Sequence, residues 1–399
     1  MDHQFHNNTI HVLNKGLKMK LNNLSRYVEL DREKLALIDR AQSDMQARPK
    51  LFYSQGAEPD YEDKRLKKSY ETFEPSKFCP ECGRKYPGHE NFCFDCAVSL
   101  KDIKSFNVKH IEVSHDFDFK SKNTFTDFSE ILTPENLKKV AEFEFGRDEF
   151  SDITKNIRLK ALKNLDKAIK DNEIDLDSLT ILEKITLFVK SFVDVEYKSY
   201  GQELGYYTFN TIYVDDRQLD ALQITTMLHE LTHFLIKEML TQIVCRLLDA
   251  SKTKEIESII SFILSYSPEN CLIDEYAAHT VEGRFTLIGY QDYSSFLNIQ
   301  RTIERSDDEV EMLKTIGNSL ANVVKDILES FIDEELLSEI KDQFKRDILD
   351  DPDYSQLRNE NCTLLNDEGF FKAIEFILVD GFAVSMDNTE KLAKINEMW

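Results

Sequence analysis

The stretch from Leu219 to Leu240 contains neither Pro nor Gly and carries its apolar residues at helical spacing. Within it stand His229-Glu230-Leu231-Thr232-His233, an H-E-x-x-H pattern. Positions i and i+4 of a helix are neighbours on one face, so both imidazoles aim at one point, with Glu230 beside them. Two such nitrogens can hold one Zn²⁺ while the carboxylate acts on a zinc-bound water. A catalytic zinc takes three protein ligands and leaves its fourth place to water. The fold must therefore deliver one more donor to this helix. The competing reading is a buried helix whose two histidines are merely hydrogen-bonded.

The third donor does not follow at once. An extended motif with a Gly and a further His after His233 is excluded, because the chain supplies Ile236 and Met239. The candidate is Glu275, in Asp274-Glu275-Tyr276-Ala277-Ala278-His279-Thr280-Val281-Glu282, 42 residues past His233. That separation leaves room for an intervening helix and turn, and Ala277-Ala278 would allow close helix approach. His279 lies one turn on and is a rival ligand or a partner to one. Asp274 and Glu282 are further alternatives. As a hydrogen-bond donor to a developing oxyanion, His279, Tyr207, Tyr276 and Tyr290 all remain open.

This order of parts resembles the gluzincins, zinc peptidases whose third ligand is a Glu on a second helix. In Ile212-Tyr213-Val214, the H-E-x-x-H helix and Glu275-Tyr276-Ala277-Ala278-His279 it is similar to the bacterial metallopeptidases that regulate repressors. That family sets a β-strand just before the helix and a Glu-x-x-Ala-polar sequence after it. The likeness covers about residues 195 to 290. It implies a zinc-dependent metallopeptidase that hydrolyses peptide bonds, with His229, His233 and Glu275 on the metal and Glu230 as general base. Glu230 and His279 are the expected catalytic residues. Gluzincin-type sites often carry Asp or Asn four residues after the ligand Glu, where it steadies a histidine; here that place holds His279.

A second metal signal precedes the first. Cys79-Pro80-Glu81-Cys82-Gly83 and Cys93-Phe94-Asp95-Cys96 give C-x2-C-x10-C-x2-C. Each pair turns two thiolates toward one ion, and together they complete a tetrahedron, as in a zinc ribbon. Tyr86-Pro87-Gly88 suits the tip of the hairpin between them. A closed four-sulfur site has no open place for substrate, so Cys79, Cys82, Cys93 and Cys96 imply a structural zinc that folds the module. The chain thus calls for two zinc ions, one catalytic and one structural. The other three of the seven cysteines, Cys245, Cys271 and Cys362, stand singly in apolar surroundings and suggest no disulfide framework.

A net charge of −23 argues against a phosphate-backbone binder, despite basic residues around the ribbon; the partner that the metallopeptidase reading implies is a protein or peptide substrate. The N-terminus carries no secretory pattern, and no apolar run could span a bilayer, so a soluble, cytoplasmic protein is expected. The sequence leaves the oligomeric state open.

Residues 1–75 read as a polar arm with one helix around Asp31 to Met45, 76–100 as the ribbon, and 101–150 as a linker. In the linker, Phe106, Val108, Ile111, Val113, Phe117 and Phe119 suggest short strands, and Thr133-Pro134 opens a helix. Residues 151–399 form the zincin-like domain with its helical C-terminal extension. Helices are expected over Ser151 to Lys170, after the capping box at Thr180 and Glu183, over Lys254 to Tyr266, and from Ser267 to a stop at Gly289. Three more follow over Asp307 to Phe331, Glu334 to Leu349 and Glu368 to Phe382. Val195 to Tyr200 and Tyr206 to Val214 read as a hairpin, followed by Asp215-Asp216 as caps for the H-E-x-x-H helix. The fold class is α+β, mainly helical: a zincin-like domain with a small antiparallel sheet and a helical C-terminal part, plus a small zinc ribbon. The alternative function is a ribbon-based binding or regulatory protein whose zincin-like domain is inactive.

Overall fold

A computed structural model describes residues 21, 23–30, 76–78, 85–87, 108–115, 123–142, 145–198, 204–208, 210–286, 299–347 and 363–397. The helix expected at Asp31 to Met45 and all four ribbon cysteines lie outside these residues. The described strands are β1 (Val28–Leu30), β2 (Ser76–Phe78), β3 (Lys85–Pro87), β4 (Asp194–Lys198), β5 (Gly205–Thr208), β6 (Thr211–Asp215) and β7 (Thr363–Leu365). The helices of eight or more residues are α1 (Pro134–Ala141), α2 (Arg147–Asp171), α3 (Ile181–Lys190), α4 (Asp220–Leu247), α5 (Lys254–Tyr266) and α6 (Pro268–Phe285). They continue as α7 (Asp307–Leu328), α8 (Glu334–Asp347), α9 (Asp367–Met386) and α10 (Thr389–Glu397). The fold is therefore mainly helical with small sheets.

The H-E-x-x-H helix, α4, is the centre of the molecule. It is buried on nearly every face, as expected for a helix surrounded by others. Its inward threonines Thr225, Thr226, Thr232 and Thr241 donate their hydroxyls to the carbonyls four residues back, so none of these four hydroxyls is left unpaired. The expected caps at Asp215-Asp216 do not act. Leu219 is the N-cap and has no side-chain bond; Asp347 Oδ2, from the end of α8, accepts from Ala221 N at 2.9 Å. Asp215 instead takes the Arg217 guanidinium and the Gln218 amide.

α5 and α6 pack on α4, and α7 packs along α6. Ser267 caps α6 by accepting from Asn270 N, with Pro268 at the first turn. α6 ends at Phe285, before the expected stop at Gly289. A Cβ on Gly317 of α7 would sit 2.7 Å from Ile273 O and 3.3 Å from Tyr276, so glycine sets how closely α7 approaches α6 beside Glu275. Thr180 and Glu183 form the capping box of α3, and Thr133 caps α1. On α2, Phe150, Ile153, Ile157, Ala161, Asn164 and Ala168 face inward, while Leu162 is 37% exposed.

The sheet departs from the expected hairpin. β6 is central, in the order β4-β6-β5, antiparallel to β5 and parallel to β4. The turn falls at Asn210, inside the segment read as one strand. The sheet is therefore mixed rather than antiparallel. Its inner face pairs Val195 with Ile212 and Tyr197 with Val214, which places β-branched and aromatic residues against α4.

Three further differences stand out. Val108–His110 form a 3-10 turn and residues 111–115 no strand; Val108 and Val113 enter a small cluster with Leu179 and Leu187. Phe106, Phe117 and Phe119 lie outside the described residues. Lys85–Pro87 form a strand paired with Ser76–Phe78, so Tyr86-Pro87 belong to a ladder rather than a turn. Finally, β1 pairs with β7, and Leu21, Leu24 and Tyr27 join the main core, so part of the expected arm belongs to the helical body.

Candidate metal centre

α4 and α6 cross so that the two histidines of one face the acidic stripe of the other. His229 Nε2 and His233 Nε2 stand 3.2 Å apart. Glu275 brings Oε2 to 3.6 Å from His229 Nε2 and Oε1 to 3.9 Å from His233 Nε2. Two zinc–nitrogen bonds of about 2.0–2.1 Å at a tetrahedral angle put the nitrogens about 3.3 Å apart. The spacing of these imidazoles matches that demand.

The hydrogen bonds behind the imidazoles occupy Nδ1 and leave Nε2 turned toward Glu275. His229 Nδ1 donates to Glu282 Oε2 at 3.1 Å, and His233 Nδ1 donates to Asp274 Oδ2 at 2.8 Å. A carboxylate offers no proton, so each Nδ1 carries one, and in a neutral ring Nε2 is then a bare lone pair. Two lone pairs and a carboxylate converge on one point, which calls for a cation. Asp274 and Glu282, rivals for the third place, thus lie on the far side of the two imidazoles. They fix tautomer and orientation.

His279 is buried and does not join this triad. Its Nδ1 donates to the same Glu282 Oε2, at 3.0 Å, and its Nε2 is 4.0 Å from Glu275 Oε2. Its ring stacks edge-on against His229, with centroids 4.7 Å apart. Glu282 therefore clasps two imidazoles with one oxygen. His229, His279 and Glu282 also satisfy the spacing of a metal-holding group, but a proton on both Nδ1 atoms turns that set into a hydrogen-bonded brace.

Charge in this buried place is one-sided. Four carboxylates, those of Glu230, Asp274, Glu275 and Glu282, surround three imidazoles. Burial opposes ionisation of Glu275, but the hydrogen bond from His229 and the neighbouring imidazoles hold its pKa well below the usual carboxylate range. Glu282 is lowered in the same way, by His229 and His279 against the cost of burial. Burial also works against a charged His229 and His233, yet the acidic neighbours win. His229 is raised well above its ordinary value by Glu275 and Glu282, and His233 to about 9 by Asp274 and Glu275. Without a metal the cluster holds protons where a dication would otherwise sit.

Glu230 is different. Burial raises its pKa, with the two histidines and the backbone amide of Tyr207 pulling it partly back. That amide comes from the outer edge of β5. Asp215 N donates to Leu204 O at 2.9 Å, and bonded pairs alternate along an antiparallel ladder. Tyr206 and Thr208 therefore bond to β6, while Gly205 and Tyr207 turn their amides outward. A Cβ on Gly205 would overlap the Tyr213 carbonyl and approach the Thr226 methyl to 2.5 Å, so only glycine lets β5 lie this close to α4.

Of the residues expected at the site, His229, Glu230, His233 and Glu275 come together, and His279 sits behind them. The Tyr207 ring packs edge-on against Phe234, and Tyr276 lies by Gly317, on the α7 side of α6. Tyr290 and the four ribbon cysteines lie outside the described residues. The sequence reading missed Lys237, one turn beyond His233, which is almost wholly buried. Its signal was a lysine in register with the two histidines. Among the described residues no helix is long and apolar enough to cross a membrane. No family model, curated protein or solved structure matches the chain.

Proposed function

We propose that the chain is a zinc-dependent metallopeptidase, with His229, His233 and Glu275 as metal ligands and Glu230 as general base. The observation that carries this reading is the pair of Nε2 atoms 3.2 Å apart, each freed by a carboxylate on Nδ1, with Glu275 opposite and Glu230 one residue away. A zinc ion held there would polarise a carbonyl and bring the pKa of a water down to around 7. Glu230, buried and with a raised proton affinity, takes the proton of the attacking water and passes it to the leaving nitrogen. His279 steadies Glu282, and through it His229, instead of facing the substrate.

The strand next to this chemistry is β5. β6, which runs directly into the helix, is flanked on both sides and can accept no further strand. The outward amide and carbonyl at Gly205 suit an extended peptide, which adds to a sheet edge by main-chain pairing. A peptide or protein substrate is the class that such an edge and a carbonyl-directed metal serve together.

Metal analysis and a cleavage assay test the proposal. Two zinc ions per chain are expected, falling to one in His229→Ala and, separately, to one in Cys79→Ser. A peptide library should be cleaved by the wild type, and cleavage should stop on chelation. Glu230→Gln should keep both metals and lose cleavage by at least a hundredfold. Cleavage by Glu230→Gln at the wild-type rate would overturn the role given to Glu230.

A further inference from the structure

Lys237 is 2% exposed, in the middle of the molecule. Holding an ammonium there costs several kcal/mol before any partner is counted. Its partners do not make that a good exchange for stability. Glu257 Oε1 lies 3.7 Å from Lys237 Nζ, whereas Lys252 Nζ approaches the same oxygen to 3.0 Å and Glu238 Oε2 to 2.7 Å. Gln242 completes Glu238 by donating to Oε1 at 2.8 Å. Lys252 lies closer to both acids, and Lys237 supplies the second positive charge that balances them. Lys237 also makes a link in another direction: Nζ donates to Asn210 Oδ1 at 3.4 Å and lies 5.4 Å from the centre of the Tyr207 ring.

Both of those partners belong to the β5–β6 hairpin. β5 runs along a single stripe of α4, touching Thr226 through Gly205, Glu230 through the Tyr207 amide and Phe234 through the Tyr207 ring. Lys237 is the next residue of that stripe, since steps of four, four and three stay on one helix face. The lengths agree. Eleven residues of helix from Thr226 to Lys237 rise about 16 Å. β5 from Gly205 to Thr208 covers about 10 Å of that rise, and the turn at Asn210 lies beyond its end. Strand and helix are fastened at both ends, with Glu230 between the fastenings.

We infer that Lys237 is a positioning residue that pins the β5–β6 turn to the metal-binding helix and so holds the outer edge of β5 at its distance from Glu230. The pin is a property of the fold. Its consequence for turnover rests on the metallopeptidase reading. Releasing it leaves β5 held at Gly205 and through Tyr207 but not at its turn, so the turn frays and an extended substrate meets a less ordered edge.

Amide hydrogen exchange on the full-length, zinc-loaded protein tests the pin without reference to activity. Lys237→Met keeps the bulk and removes the charge. It should speed exchange over residues 206–212 at least fivefold while α4 keeps its wild-type rates. Asn210→Ala cuts the same link from the exposed turn and leaves the core untouched, so it decides the matter should Lys237→Met not fold. It should reproduce the effect, and the double variant should add nothing. Unchanged exchange over 206–212 in Asn210→Ala, or equal acceleration throughout α4 in Lys237→Met, would overturn the proposal. On a cleaved peptide both variants should raise KM several-fold with kcat within twofold. Loss of kcat with KM unchanged would refute the edge-holding role. The metallopeptidase reading fails separately, if Glu230→Gln cleaves normally while the exchange shift is present.

Discussion

The acids behind His229 and His233 set which ring atom each turns toward Glu275. Asp274 and Glu282 each hold an Nδ1 proton in place, which leaves Nε2 as the atom a metal would take in exchange for a proton. Removing the charge but not the shape, as in Asp274→Asn or Glu282→Gln, should weaken zinc binding about 10–100-fold. Glu282→Gln should do more, because that residue also holds His279. Competition titration with a zinc chelator, in a Cys79→Ser chain to silence the ribbon, measures this directly. The same chain gives a pH test. Metal-free, His233 is raised to about 9 and His229 also lies well above its ordinary value. Their contribution to metal-free stability is complete below the unfolded pKa of about 6.5 and is lost as pH rises through about 9. Zinc must displace those protons, so its apparent affinity should climb between pH 6.5 and 9, with proton release in calorimetry. A pH-independent affinity would contradict the geometry. At this scale the sequence was informative where one helical turn decides. His229, Glu230 and His233 needed no tertiary knowledge, whereas sorting Asp274, Glu275, His279 and Glu282 needed the phase of α6 against α4.

Elements were legible where a cap or a clear apolar period marked them. Thr180 with Glu183, Thr133 with Pro134, and Ser267 with Pro268 all open helices as their side chains require. The sheet was harder. No glycine marks the turn at Asn210, and strand pairing is a long-range choice that alternation alone does not encode. Gly205 falls between the two expected strands, yet it is where β5 touches α4. Gly205→Ala should destabilise the protein by about 1–3 kcal/mol, the usual cost of forcing an atom into a packed site. It should also lift β5 from Glu230. Urea unfolding reports the first effect. The second would appear as lost cleavage with both zinc ions retained. A Gly205→Ala protein as stable and active as wild type would mean that β5 is free to move away from the helix without consequence.

At the scale of the whole molecule, the chain closes on itself through its least conspicuous part. Nothing in the polar N-terminal composition marked residues 21–30 as structural, because three apolar side chains do not make a visible period. Yet Leu21 and Leu24 are 1% and 3% exposed, and Tyr27 OH donates to Glu368 Oε1 at 2.9 Å. Asn366 N donates to Tyr27 O at 2.7 Å, and β1 pairs with β7. The segment is thereby the floor on which α9 begins, and α9 in turn packs on α5, which supports α4. Burying each such side chain stabilises by about 1.5–3 kcal/mol. Leu24→Ala should therefore cost about 2–5 kcal/mol, transfer and cavity together. A chain beginning at residue 31 should lose more and melt several degrees lower, with early proteolysis near residue 363, where β7 loses its partner strand. Between β1 and the candidate metal centre stand β7 and α7, which packs on α6, so zinc affinity in the shortened chain should stay within about threefold as long as the helices remain folded. Equal loss of stability and of zinc affinity would show instead that the N-terminal strand and the metal-binding helix form one cooperative unit, and the shortened chain distinguishes the two outcomes in a single titration.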